Sequence, residues 1–201
     1  MGVAYDLILT ADIRLGDDVL VMGLGSIGLM ALQMAKKSGA RRIYAADRSY
    51  NKAKLALAKA YGADEIICTD EVDLAAYPFA RNGVERVLVT TPPSTIDLAT
   101  HVANTGGIVS FLGISYGEQA IISIDSNVVH LKKLQIRASN AIPALYFPRC
   151  IDLLRAGLVD VSRLVTHTFS LEHAADGLTQ YIDDRACAVK AVMINGTEPI
   201  D

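Results

Sequence analysis

Three glycines and one carboxylate are the residues of this sequence best suited to holding an anionic ligand. Gly23-Leu24-Gly25-Ser26-Ile27-Gly28 follows the apolar run Val19–Met22, and a second apolar run, Ile43–Ala46, ends in Asp47. Amides that open a helix have no partner within it and sit at the positive end of its dipole, so they suit a phosphate. A carboxylate at the end of the next strand can accept sugar hydroxyls. Together these features match the dinucleotide-binding fingerprint, provided that a strand precedes the glycines and a helix follows them.

The flanking sequence meets that condition. Val19–Met22 has the length of a buried strand. Leu29, Leu32, Met34 and Ala35 form an apolar stripe at helical spacing, which Gly39 closes. Gly23 is expected to allow the tight turn, Gly25 to let a pyrophosphate approach the backbone, and Gly28 to let helix and strand pack closely. The free N–H groups of Ser26, Ile27 and Gly28 would then face the phosphates. Asp47 favours NAD, since it accepts ribose hydroxyls and repels a 2′-phosphate. Arg48 keeps an alternative open, because a guanidinium could pair with that phosphate, lie over the adenine, or simply be solvated.

The rest of the chain alternates in the same way. A helix ends at Ala11; Lys52–Tyr61 forms a helix capped by Ser49-Tyr50-Asn51; Asp64–Cys68 and Val84–Thr90 are strands. Glu71–Asn82 reads as a helix broken at Pro78. Ser94 starts a helix to about Val102, and Gly106-Gly107 turns into a strand over Ile108–Leu112. Ala120–Ile124 and Leu134–Ala138 are further expected strands, flanking a helical turn near Asn127–Lys132. This is the pattern of an α/β doubly wound parallel sheet, a Rossmann fold. Thr90 and Thr91 stand at a strand end, where ligands of such sheets gather, or merely terminate the strand. From Pro143 the pattern changes to a helix over Tyr146–Ala156, a strand over Leu164–Phe169, a helix over Leu171–Ile182 and a strand over Val189–Ile194. That tail carries too little apolar residue for a core of its own.

Composition narrows the function classes. The 201 residues are 51% hydrophobic with mean hydropathy +0.30, which points to a large core. A net charge of −3, with no basic run, argues against nucleic acid as a partner. No apolar stretch has the length of a membrane span, and Met1-Gly2-Val3-Ala4 resembles neither a secretory nor a good myristoylation signal. Cys68, Cys150 and Cys187 are widely spaced, as expected of reduced thiols in the cytoplasm. Tyr50-Asn51-Lys52-Ala53-Lys54 formally matches a Tyr-x-x-x-Lys pair but opens the second helix, where a solvated face is expected.

Three blocks together resemble the cofactor domain of the zinc-containing medium-chain alcohol, polyol and threonine-type dehydrogenases. They are Val19–Leu29, Gly106–Ile114 and Leu164–Ala174, in the family's order and spanning nearly the whole chain. The resemblance implies hydride transfer between an alcohol or polyol and NAD, with zinc in a separate N-terminal domain whose ligands match no residue here. Residues 12–141 would be the NAD-binding domain. Residues 1–11 and 142–201 would pack against the absent domain, so the chain looks like an excised or naturally truncated cofactor domain, inactive by itself. The resemblance also places the Gly113 and Ile114 backbone beside the nicotinamide and Lys190 near the pyrophosphate, the latter against a plain surface lysine. It assigns His167 to a structural stretch. It implies a homodimer or homotetramer through edge strands, for which Ala120–Ile124 and Leu134–Ala138 are the material. Two alternatives stay open: a non-catalytic dinucleotide-binding module, or a zinc-free, NADPH-dependent quinone-reductase-like member.

Overall fold

The computed structural model describes residues 1–195. Six strands form one parallel sheet: β1 (Asp18–Met22), β2 (Arg42–Asp47), β3 (Glu65–Cys68), β4 (Val84–Val89), β5 (Ala103–Phe111) and β6 (Gln135–Ala138). Their order is β3-β2-β1-β4-β5-β6. The chain reverses its direction of winding between β1 and β4, and the crevice above that point is where open α/β sheets take ligands. All five residues of β1 are buried. Val19 and Val21 join the core on one face, and Leu20 and Met22 join the core on the other. A central strand covered on both sides must be apolar throughout, which is why β1 reads as an unbroken run.

The first face is covered by α1 (Gly2–Ala11), α2 (Ser26–Lys37) and α3 (Lys52–Ala60). Ala4, Leu7, Ile8 and Ala11 pack there with Leu29, Leu32 and Ala35. The second face is covered by α4 (Ile96–Val102), α5 (Ser126–Leu131) and an aromatic group of Tyr44, Tyr77 and Phe79 stacked edge to face. The Tyr77 hydroxyl, partly buried and bonded to Glu65, has its pKa pushed up to about 12.

The remaining chain supplies α6 (Pro143–Arg155), β7 (Val165–Ser170), α7 (Ala174–Asp183) and β8 (Lys190–Ile194), with β7 and β8 as a separate parallel pair. Helix α7 lies directly on β7, because a Cβ at Gly177 would sit 2.4 Å from the Phe169 ring. Val159, Leu164 and Val189 reach the first-face core, whereas Leu145, Phe147, Leu171 and Ile182 are exposed. Among the described residues no helix is long and apolar enough to cross a membrane.

Several elements differ from the sequence reading. Ala120–Ile124 is not a strand: a 3-10 turn covers Gly117–Ala120, and residues 121–125 have no regular structure. The sheet takes β6 as the neighbour of β5, and residues 121–125 run outside it, leaving the outer edge of β6 unpaired among the described residues. The stretch 71–82 holds only a 3-10 turn at Leu74–Ala76, where Asp73 accepts from the Ala75 N–H. β5 begins at Ala103, five residues early, and tolerates Gly106-Gly107 through an irregularity opposite Val84–Arg86.

Charge is anchored at the amino-terminal edge of the sheet. Asp18, fully buried, receives both Nε and Nη2 of Arg41. Arg86, almost as buried, pairs with Asp17 at 3.2 Å and donates to the Asp12 carbonyl at 3.0 Å. Breaking one side of a buried pair strands the other charge. Replacing Arg86 with Leu is therefore expected to lower unfolding free energy by about 3 kcal/mol in urea titration. A loss of a few tenths would show that Asp17 finds water instead.

Candidate functional site: a crevice at the carboxyl end of the sheet

The three glycines are needed for three different reasons. Gly23 follows β1 with φ +90°, a conformation that L side chains rarely adopt, and a Cβ there would lie 2.8 Å from Thr90 Oγ1. A Cβ at Gly28 would lie 2.0 Å from the Gly23 carbonyl oxygen, so any side chain would push α2 off the turn. Gly25 has φ −63° and ψ 178°, ordinary for any residue, and a Cβ there would meet nothing within 4 Å. Neither backbone nor packing asks for glycine at position 25. The space above it is open to something other than protein.

That space adjoins the start of α2. The Leu29 N–H donates to the Gly25 carbonyl at 2.9 Å, closing the first turn. Among the described hydrogen bonds, the N–H groups of Ser26, Ile27 and Gly28 have no acceptor. No acidic residue stands in the first turn, and Lys36 and Lys37 occupy the last, so the positive end of the dipole is uncompensated while the negative end is covered. Thr90, at the end of β4, secures the turn from the other side: its hydroxyl donates to the Gly23 carbonyl at 2.8 Å, shared with Met22 at 3.0 Å.

Asp47, the last residue of β2, is less idle than the sequence suggests. Its Oδ2 accepts from the Leu24 N–H, and its Oδ1 accepts from the Arg48 N–H and from Asn51 Nδ2, each at 2.8 Å. A carboxylate offers about four acceptor positions, so about one remains for a ligand. Arg48 extends past it, its guanidinium 6.0 Å from the centre of the Tyr50 ring. The loop is fixed by Asp70, which accepts from the Ser49 N–H and hydroxyl; those bonds hold its pKa below the usual carboxylate range.

A cavity of about 410 Å³ opens here, lined by Gly23, Asp47, Arg48, Thr69, Thr91, Pro92, Thr95 and Leu98 among others. A second, of about 600 Å³, lies over β5 and β6, lined by Val3, Phe111, Leu112, Gly113, Ile114 and residues 138–141. Thr91 and Gly113 meet between the two, since a Cβ at Gly113 would lie 3.2 Å from the Thr91 carbonyl oxygen. The fold thus gathers Gly23, Gly25, Ser26, Ile27, Gly28, Asp47, Arg48, Thr90, Thr91, Gly113 and Ile114 along one edge. Lys190, exposed on β8, lines neither cavity.

Sequence reasoning missed Asn51, Thr69 and Leu98. Thr69 and Leu98 carry no motif, and only the topology brings them together. Asn51 does carry a signal, an N-cap asparagine four residues after a carboxylate, but that position by itself points to a cap. The histidines stay apart from the crevice: His167 contacts Thr166 Oγ1 at 2.9 Å and Asp184 at 3.4 Å, in the tail. Lys54 Nζ donates to Asn51 Oδ1 at 3.2 Å and Tyr50 is exposed; neither residue lines the crevice. Among the described residues, no three His, Cys, Asp or Glu side chains are grouped to hold a metal ion.

The chain is similar to known proteins in sequence and in fold. Residues 26–156 match the family model described as zinc-binding dehydrogenase. L-arabinitol 4-dehydrogenase of Aureobasidium melanogenum is 32% identical over 94% of this chain and 52% of its own length. The alcohol dehydrogenase RspB of Escherichia coli CFT073, solved with NADH, superposes with TM-score 0.83 at 27% identity, over 96% of this chain and 56% of that one. A zinc-binding dehydrogenase of Sinorhizobium meliloti 1021, bound to NADP, gives TM-score 0.83 at 25% identity, over 96% and 56%. The chain spans about half the length of the curated relatives it matches. With its sheet order, its glycine turn and a family match over most of its length, the chain belongs to the zinc-binding dehydrogenase family.

Proposed function

We propose that this chain is the NAD(H)-holding part of an alcohol or polyol dehydrogenase, and that zinc and most of the alcohol pocket belong to a further domain. The observation that carries the reading is Gly25: a glycine that neither fold nor backbone needs, beneath open space and beside three unpartnered amides. A pyrophosphate fills that cradle. When bound, NAD supplies the hydride acceptor; the residues here bind and orient it.

In this reading the amides of Ser26, Ile27 and Gly28 receive the pyrophosphate, and the 410 Å³ cavity receives the adenosine. Asp47 takes a ribose hydroxyl at its remaining acceptor position, while its charge opposes a 2′-phosphate. The nicotinamide passes over the Thr91–Gly113 contact into the larger cavity, beside the backbone of Ile114. Thr90 acts on the turn and not on the ligand. Lys190 has no part in this site, and zinc would be held by the further domain, since no group of His, Cys, Asp or Glu among the described residues fits it. The exposed apolar residues of α6 and α7 are the face such a further domain would cover, and the outer edge of β6 is where a second copy would pair.

Three measurements test the reading. Gly25→Ala is expected to weaken NADH binding, followed by fluorescence, by about tenfold or more while the melting temperature holds, because the added methyl meets ligand and not protein. Unchanged affinity would move the pyrophosphate elsewhere. The unaltered chain is expected to bind NADH more tightly than NADPH, with Asp47→Ser closing the gap; tighter NADPH binding would reverse the assignment. Finally, the 201 residues with zinc, NAD and an alcohol panel are expected to produce no NADH. Zinc-dependent turnover would place the catalytic machinery within this chain.

A further inference from the structure

We infer that Asn51 is a positioning residue for the Asp47 carboxylate, and that it thereby sets the preference for a free ribose 2′-hydroxyl over a 2′-phosphate. The inference rests on the dinucleotide reading above. Asn51 occupies the N-cap of α3, where an asparagine ordinarily turns its side-chain oxygen onto amides of the first turn. Here its backbone is at φ −79°, ψ 53°, and its side chain caps nothing. The residue is only 7% exposed. Its Nδ2 donates to Asp47 Oδ1 at 2.8 Å, and its Oδ1 accepts from Lys54 Nζ at 3.2 Å. The opposite amide orientation would set oxygen against carboxylate and NH₂ against ammonium, so this one is dictated by its neighbours.

The consequence lies in the rotation of the carboxylate. Oδ1 is held by Asn51 and by the Arg48 N–H, leaving Oδ2 with the Leu24 N–H and the open acceptor position. The backbone donors are kept by every side chain except proline, whereas the Asn51 donor goes with its side chain. Without it, one anchor of Oδ1 goes, the carboxylate turns more freely, and its charge is no longer fixed where a 2′-phosphate would sit. Neighbouring Lys54 would lose its relay to Asp47 as well. A purely structural asparagine would affect both nucleotides alike; a positioning one separates them.

The test uses the whole chain with Asn51→Ala and the near-isosteric Asn51→Asp, reading two quantities. The first is amide hydrogen exchange at Leu24 without nucleotide, expected to accelerate in both variants as its acceptor loosens. The second is the pair of affinities for NADH and NADPH by fluorescence titration. In Asn51→Ala, NADH is expected to weaken about tenfold while NADPH stays within about twofold, the size of one lost charge-assisted hydrogen bond. Equal loss of both affinities would overturn the inference, and so would unaltered exchange at Leu24. Accelerated exchange in a chain whose unsubstituted form binds neither nucleotide would keep the contact but sink the dinucleotide reading, and the specificity role with it.

Discussion

The closeness of Gly28 to the Gly23 carbonyl is the constraint on which the crevice depends. With no side chain between them, the first turn of α2 rests on the turn that leaves β1, and the open amides of the helix are held above the sheet edge. Thr90 bonds the same carbonyl from β4, so the two central strands and the helix meet at one peptide. Shift that peptide and three things move at once: the amides, the Leu24 N–H that Asp47 holds, and the floor between the two cavities. The ligand end of the sheet is therefore determined by steric exclusion, which is stiffer than any single hydrogen bond.

The two edges of the sheet divide the electrostatic work. At the amino-terminal edge, each buried charge meets an opposite one: buried Asp18 is held by the more exposed Arg41, and buried Arg86 by Asp17. At the carboxyl edge, backbone donors are left open, and the local carboxylates are engaged by amides and hydroxyls instead of cations. The first arrangement holds strands together; the second keeps a field of positive dipole available for an anion.

The sheet was legible in the sequence because its signals are local. Unbroken apolar runs, helix-closing glycines and a glycine turn between strand and helix all lie within short windows, and parallel topology follows from their alternation. The miss at Ala120–Ile124 has the opposite character: an apolar segment becomes a strand only by pairing, and it is β6, not this segment, that takes the place beside β5. The glycine roles could be assigned in advance, yet only coordinates separate Gly25, which nothing in the protein requires, from Gly23 and Gly28. Asp47 was found by its position, but its three donors come from residues 24, 48 and 51, and the first of these is distant in sequence. Thr69 and Leu98 were out of reach, since ordinary residues become lining only through the crossovers that assemble them.

Thr91 lines one cavity and Gly113 the other, so the close approach of their backbones stands as a ridge between two separate basins. A compact molecule can settle in one basin or the other but never gain from both. A guest that used both would have to cross that ridge with a slender linker. The backbone thus measures its visitor before any side chain inspects it.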